Sequence, residues 1–118
     1  MNKVKIISGI PTSSDREELK KLSYYEIIEG NEDIKTFTEG HCWQRISWIT
    51  LKDHNEIEPH THNYKSVLFI NNGQGQITGD ITSTFQEKTL ILIPENCRHG
   101  FKSINQQGFT AVSINLCE

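Results

Sequence analysis

The chain has no apolar run near the roughly 18 residues that a membrane-spanning helix needs. Its longest apolar stretches are four-residue runs such as Val67–Ile70 and Leu90–Ile93. The opening segment Met1-Asn2-Lys3-Val4-Lys5-Ile6-Ile7-Ser8-Gly9 has a basic start but too short an apolar stretch for a signal peptide. A soluble, cytoplasmic protein is the expectation. Charge of one sign is also missing as a block: 12 Lys and Arg stand against 15 Asp and Glu, a formal charge of −3, and both signs are dispersed. Such a surface offers no footprint for nucleic acid or an anionic membrane and leaves a small molecule as the expected partner. Three cysteines, Cys42, Cys97 and Cys117, are too few, too far apart and odd in number for a disulfide framework, so each is expected as a small buried or half-buried thiol. There is no internal repeat, low-complexity tract or linker-like shift in composition. One domain of 118 residues is therefore the default.

What is present reads as an all-β chain. The helical signal is confined to the first part, where Ser14 followed by Glu17 has the form of a capping box and Arg16 to Leu22 are good helix formers. After Gly30 that signal disappears. Short runs rich in β-branched and aromatic residues follow: 43–51, 57–62, 66–70, 75–78, 81–85, 89–93, 100–104 and 109–116. About eight such strands on short turns predict an antiparallel sandwich or barrel. Asn72-Gly73 is a tight-turn signal, Gly79-Asp80 a weaker one, and Asn105-Gln106-Gln107-Gly108 fits a longer hairpin loop.

Among 5 histidines, two stand one residue apart in Glu58-Pro59-His60-Thr61-His62. On an extended strand side chains alternate faces, so both rings point the same way and reach one ion. That is half of a metal site. The candidate for the rest is His99, in Pro94-Glu95-Asn96-Cys97-Arg98-His99, directly after the apolar run Leu90-Ile91-Leu92-Ile93.

His60-x-His62 with Gly73 behind it, then Pro94 and His99, resembles the two motifs of the cupin superfamily over about residues 43 to 116. The first motif has a glycine ahead of its His-x-His pair and a glutamate and second glycine after it. Here His60, His62 and Gly73 match, while His54 stands for the first glycine and Ser66 for the glutamate. In the second motif Pro94 and His99 match, while Lys88, Asn96 and Ser103 replace two glycines and an asparagine. Asn96 is the mildest change, since Asn tolerates the left-handed backbone that a turn after proline can require. The resemblance implies a jelly-roll barrel, a double-stranded β-helix over 41–118 preceded by an amino-terminal arm, 1–40, with its short helix. It also implies a homodimer, through the exposed face of a sheet or an exchanged strand such as Lys3 to Ile7.

It implies too that His60, His62 and His99 ligate a divalent metal in the barrel mouth. The family's fourth ligand is usually a carboxylate at the position of Ser66, so here three neutral imidazoles remain. They suit iron, copper, nickel or zinc better than magnesium or calcium, and they leave the ion a stronger Lewis acid. Glu58 shares the parity of the histidines only if the strand runs unbroken through Pro59, which removes a ladder donor. His54 and His41 read as loop histidines.

Further pocket candidates follow from parity. The carry-over places Ser66, Leu68 and Ile70 inside, with Val67 and Phe69 in the outer layer. Phe101 shares parity with His99 and is either a wall of the site or ordinary core. On the long strand either Arg45, Ser47, Ile49 and Leu51 face inward, with Arg45 as a clamp for a substrate carboxylate, or Gln44 and Trp48 do. Tyr64 is expected to supply a phenol or cover the rim, and Cys97 is a turn thiol. Two functions fit. One is a metal-dependent enzyme of oxygenase, isomerase or lyase type, whose three-histidine site resembles thiol and diketone dioxygenases. The other is a non-catalytic, sensor-type ligand pocket like the effector-binding barrel of arabinose-type regulators. No helix-turn-helix pattern accompanies the barrel in these residues, which favours the enzyme.

Overall fold

The computed structural model describes residues 3–9, 32–40 and 42–117. The helix expected over Arg16 to Leu22 lies outside them. The described elements are β1 (Lys5–Ile7), α1 (Glu32–Thr38), β2 (Cys42–Leu51), β3 (Glu56–His60), β4 (Lys65–Gly79), β5 (Ser83–Gln86), β6 (Thr89–Ile93), β7 (His99–Lys102) and β8 (Phe109–Cys117). None of their helices is long and apolar enough to cross a membrane.

Two antiparallel sheets face each other across one core. The first runs β1-β6-β4-β8-β2 and the second β5-β4-β7-β3, with the long β4 belonging to both. Asn72-Gly73, expected as a turn, is where β4 changes sheets: its pairing with β8 slips between Ile70 and Asn72 and the chain continues without reversing. Gly73 has φ 82°, and a Cβ there would overlap the Gly108 carbonyl, so the bulge needs glycine. The Asn105–Gly108 loop closes with Gly108 N donating to Asn105 Oδ1 at 2.6 Å. It carries the chain from one sheet to the other and is not a hairpin within one.

Strand parity separates two apolar clusters. Leu68, Ile70, Ile91, Ile93, Phe101, Phe109 and Ala111 fill the barrel, joined by Ile77 and Phe85. On the opposite face of the first sheet Val67, Leu90, Leu92, Ile114 and Leu116 pack against Ile34 and Phe37 of α1. This helix was not expected after Gly30. Seven residues with two buried apolar positions carry too little periodicity to detect, and its stability comes from docking. Lys65 holds the helix end, donating to the Phe37 carbonyl at 3.3 Å with its ammonium 5.1 Å from the Phe37 ring centroid. β1, the strand expected to be exchanged in a dimer, pairs in this chain with Leu90–Leu92 of its own β6.

The positions where motif glycines are replaced keep a glycine-like backbone. His54, Lys88 and Asn96 have φ of 59°, 64° and 64°. A β-carbon in that region costs about 1–2 kcal/mol, less for Asn. Glycine at 88 should therefore relieve more strain than the unfolded chain's extra freedom takes back. Lys88→Gly should keep the Lys88 N to Ile70 O bond of 2.8 Å and raise stability by about 0.5–1 kcal/mol. Asn96→Gly should gain less, and thermal melts of the two variants side by side check the order.

Candidate metal centre

His60 ends β3 and His99 begins β7, and the two are register partners, which brings their ring centroids to 4.6 Å. The ladder between them is not regular. Pairing slips between Ile57 and His60, as a proline at 59 dictates, and the bulge lies over Gly100, where a Cβ would come 2.6 Å from the Ile57 carbonyl and 2.7 Å from the Pro59 nitrogen. Gly100 thus permits the close approach that pairs the two histidines. The strand expected to continue to His62 stops at His60, so the third imidazole sits in the β3–β4 connection. Its ring still lies 5.0 Å from that of His60 and 4.6 Å from that of His99. Asn96 contributes here: with its left-handed backbone it donates N–H to the His62 carbonyl at 2.7 Å, tying the turn before β7 to this connection.

One ligand atom from each of the three rings lies within 4.8 Å of the others, close enough for a shared ion. Two tautomers follow from the hydrogen bonds. Nδ1 of His60 lies 2.9 Å from the Glu58 carbonyl and Nδ1 of His99 lies 2.9 Å from the Cys97 carbonyl. A carbonyl only accepts, so both Nδ1 atoms carry a proton, and in the neutral ring the lone pair then lies on Nε2. His62 differs: its Nδ1 is buried without a protein partner. A buried nitrogen left unbonded costs free energy that a cation would recover.

Two of the rings, His62 and His99, are also biased toward the neutral form. Burial, then the neighbouring His99 and His60, push His62 down to about 4 from 6.5. Burial lowers His99 as well, aided by His60 and opposed by the Cys97 carbonyl and Asp80. Neutral imidazole is the ligating form. In the metal-free protein the unfolded state therefore binds more protons than the folded one between pH 6.5 and about 4. Stability should be complete above the upper value and fall as pH approaches the lower, by on the order of 1–2 kcal/mol after solvent screening. Melts in chelator at several pH values check this, and His62→Gln should flatten the decline.

The histidines open into a cavity of about 240 Å³ lined also by Ser47, Ile49, Ile57, Tyr64, Ser66, Leu68, Ile93, Phe101, Ser113 and Asn115. Ser66 is 2% exposed and donates to Asn115 Oδ1 at 3.1 Å. Among the described residues, the three-histidine group includes no carboxylate. Glu58 is exposed, does not line the cavity, and touches the site through its carbonyl, because the bulge at Pro59 breaks the parity it needed. Phe101 is both wall and core, 6.1 Å from the His99 ring and 4% exposed. Ser47 and Ile49 line the cavity while Trp48 is 70% exposed, so the Ser47 set faces inward and Trp48 does not. Arg45 pairs with Asn115 along the backbone, and its side chain lies outside the described residues, as does that of Gln44. Tyr64 stacks flat on His62. His54 is exposed in the β2–β3 turn. Cys97 is in a turn but is buried in the core, and burial, then Asp80 and Glu95, push its thiol up, away from the ligating thiolate.

Sequence reasoning missed Ser113 and Asn115. On β8 they alternate with Val112, Ile114 and Leu116, and the ordinary rule turns the polar set to solvent. The rule inverts because α1 covers the other face of this sheet.

A barrel of two antiparallel sheets with three convergent imidazoles at its cavity defines a class, the small double-stranded β-helix proteins. The fold is that of the cupin superfamily. A double-stranded β-helix protein from Klebsiella pneumoniae superposes with a TM-score of 0.56 at 16% identity, covering 59% of this chain and 64% of its own. A cupin 2 conserved barrel domain protein from Salinispora arenicola gives 0.55 at 15%, covering 59% and 60%. The polyketide cyclase RemF from Streptomyces resistomycificus gives 0.55 at 19%, covering 68% and 58%. The match spans less than two thirds of each of these three chains. No protein-family profile and no curated protein matches the sequence.

Proposed function

We propose that the protein is a metal-dependent enzyme acting on a small molecule, with a divalent transition metal held by His60, His62 and His99. The observation that carries this reading is the convergence of three imidazoles, one with a buried unpartnered nitrogen, on a cavity at the barrel mouth. The ion would act as a Lewis acid on a bound carbonyl or carboxylate, or support dioxygen chemistry, consistent with oxygenase, isomerase or lyase activity. The chain's own residues orient and shield. Glu58 and Cys97 carbonyls hold two rings in the ligating tautomer. Ile49, Ile57, Leu68, Ile93 and Phe101 form apolar walls, and Ser47, Ser113 and Asn115 offer hydrogen bonds to a polar substrate. The polyketide cyclase among the structural neighbours supports an enzyme in such a barrel.

One observation favours a second reading, a non-catalytic ligand pocket: Ser66 occupies the place of the expected carboxylate and is already satisfied by Asn115. Metal analysis of protein purified without a histidine tag separates the two. The enzyme reading expects about one equivalent of iron, copper, nickel or zinc, or its restoration on addition. Protein that stays metal-poor after all four additions supports the pocket reading.

A further inference from the structure

We infer that Tyr64 is a positioning residue for the metal centre, holding the His62 ring by stacking where the other two histidines are held by hydrogen bonds. This role rests on the metal reading above.

Three rings share the site, and two of them are oriented by the same device, an Nδ1–H donated to the carbonyl two residues earlier. His62 does not have it. Its Nδ1 is buried with no partner, so no hydrogen bond at that nitrogen sets the rotation of the imidazole. Left to itself such a ring samples orientations that carry its lone pair away from the common point. Tyr64 removes that freedom. The two rings are parallel within 2°, with centroids 4.4 Å apart. They sit two residues apart in the connection between β3 and β4, with exposed Asn63 between them.

The stack also fits the order of the chain. Tyr64 immediately precedes β4, whose Lys65 and Ser66 are fixed by pairing to Leu116 and Asn115 of β8. Its backbone is thus anchored to the first sheet, while the His62 carbonyl is anchored to Asn96. The aromatic plate is a rigid support for a ring on a loop. What it acts through is the ring face, so the phenol hydroxyl is dispensable for this purpose.

An aromatic pair of this kind predicts an effect of about two- to tenfold on an equilibrium that depends on it. The test is cobalt(II) titration followed by visible absorption, on the wild type, Tyr64→Phe and Tyr64→Leu, with proton NMR of the metal-free proteins. Tyr64→Phe should bind cobalt like the wild type. Tyr64→Leu should bind about two- to tenfold more weakly, and its metal-free melting temperature should fall modestly because the stack itself is lost. In the metal-free spectra the His62 ring protons should be shifted upfield in wild type and Tyr64→Phe and should lose that shift in Tyr64→Leu. Equal binding by Tyr64→Leu, or equal weakening in Tyr64→Phe, overturns the stacking role while leaving the metal centre intact. A wild type that takes up no cobalt overturns the metal reading and this role with it, whatever the NMR shows.

Discussion

Replacing His60 with alanine should cost the site its ion while leaving the metal-free barrel as stable as before. The residue is exposed at the end of β3, and its ring donates to the neighbouring Glu58 carbonyl, so the folded state loses little when the ring goes. The ion, by contrast, loses one of three ligands. Mutating even supporting residues around a metal costs about 10–100-fold in affinity, so losing a ligand should exceed about a hundredfold. His99→Ala should weaken binding as much but behave differently without metal. That ring is 2% exposed, and truncating it leaves a void and removes its hydrogen bond to the Cys97 carbonyl, a cost of about 2–3 kcal/mol. Competition titrations for affinity and thermal melts in chelator give the two readouts separately. If both variants unfold and the wild type holds no ion, the histidines are structural.

How much of this arrangement can be read before folding depends on the range of the interaction involved. The strands from 42 to 117 are written in local pattern, and the expected runs agree with the described ones to within a few residues except around the two-sheet strand β4. Asn72-Gly73 misleads because a glycine-requiring bulge and a glycine-requiring turn carry the same residues, and only the partner strand β8 distinguishes them. His60 and His99 were legible because their order and spacing reflect the register of β3 on β7. The inward-facing Ser113 and Asn115 were not, since their direction is set by a helix some 80 residues away packing on the far side of the sheet, by a count from Ile34 and Phe37 to Ile114 and Leu116. Burial on both faces removes the polar-out rule for that strand. The stack of Tyr64 on His62 was equally hidden, because it arises in a loop where no periodicity applies.

The second large effect concerns Ser66, and it should change sign with metal. Ser66→Glu puts a carboxyl where the resemblance expects a ligand, inside the barrel beside Asn115 and Ile93. Without an ion this is a costly substitution. The position is 2% exposed, the Ser66–Asn115 bond of 3.1 Å is lost, and among the described residues no lysine or arginine lines the cavity. Burial without a cationic partner forces an acid there toward its protonated form, and the longer side chain crowds Asn115. Destabilisation of about 3 kcal/mol is expected, roughly 10–20 °C in melting temperature for a chain of this size. With zinc or iron present the balance reverses. The carboxylate then supplies the anionic ligand that three imidazoles lack, its charge is compensated by the ion, and tighter binding stabilises the folded state in proportion to the logarithm of metal concentration over the dissociation constant. Metal should therefore raise the melting temperature of Ser66→Glu by more than it raises that of the wild type, and the gap between the two proteins should narrow or close. Paired melts with chelator and with excess zinc measure this directly. Equal shifts in both proteins would mean that position 66 does not reach the ion, and that the serine is there for the Asn115 wall of the cavity.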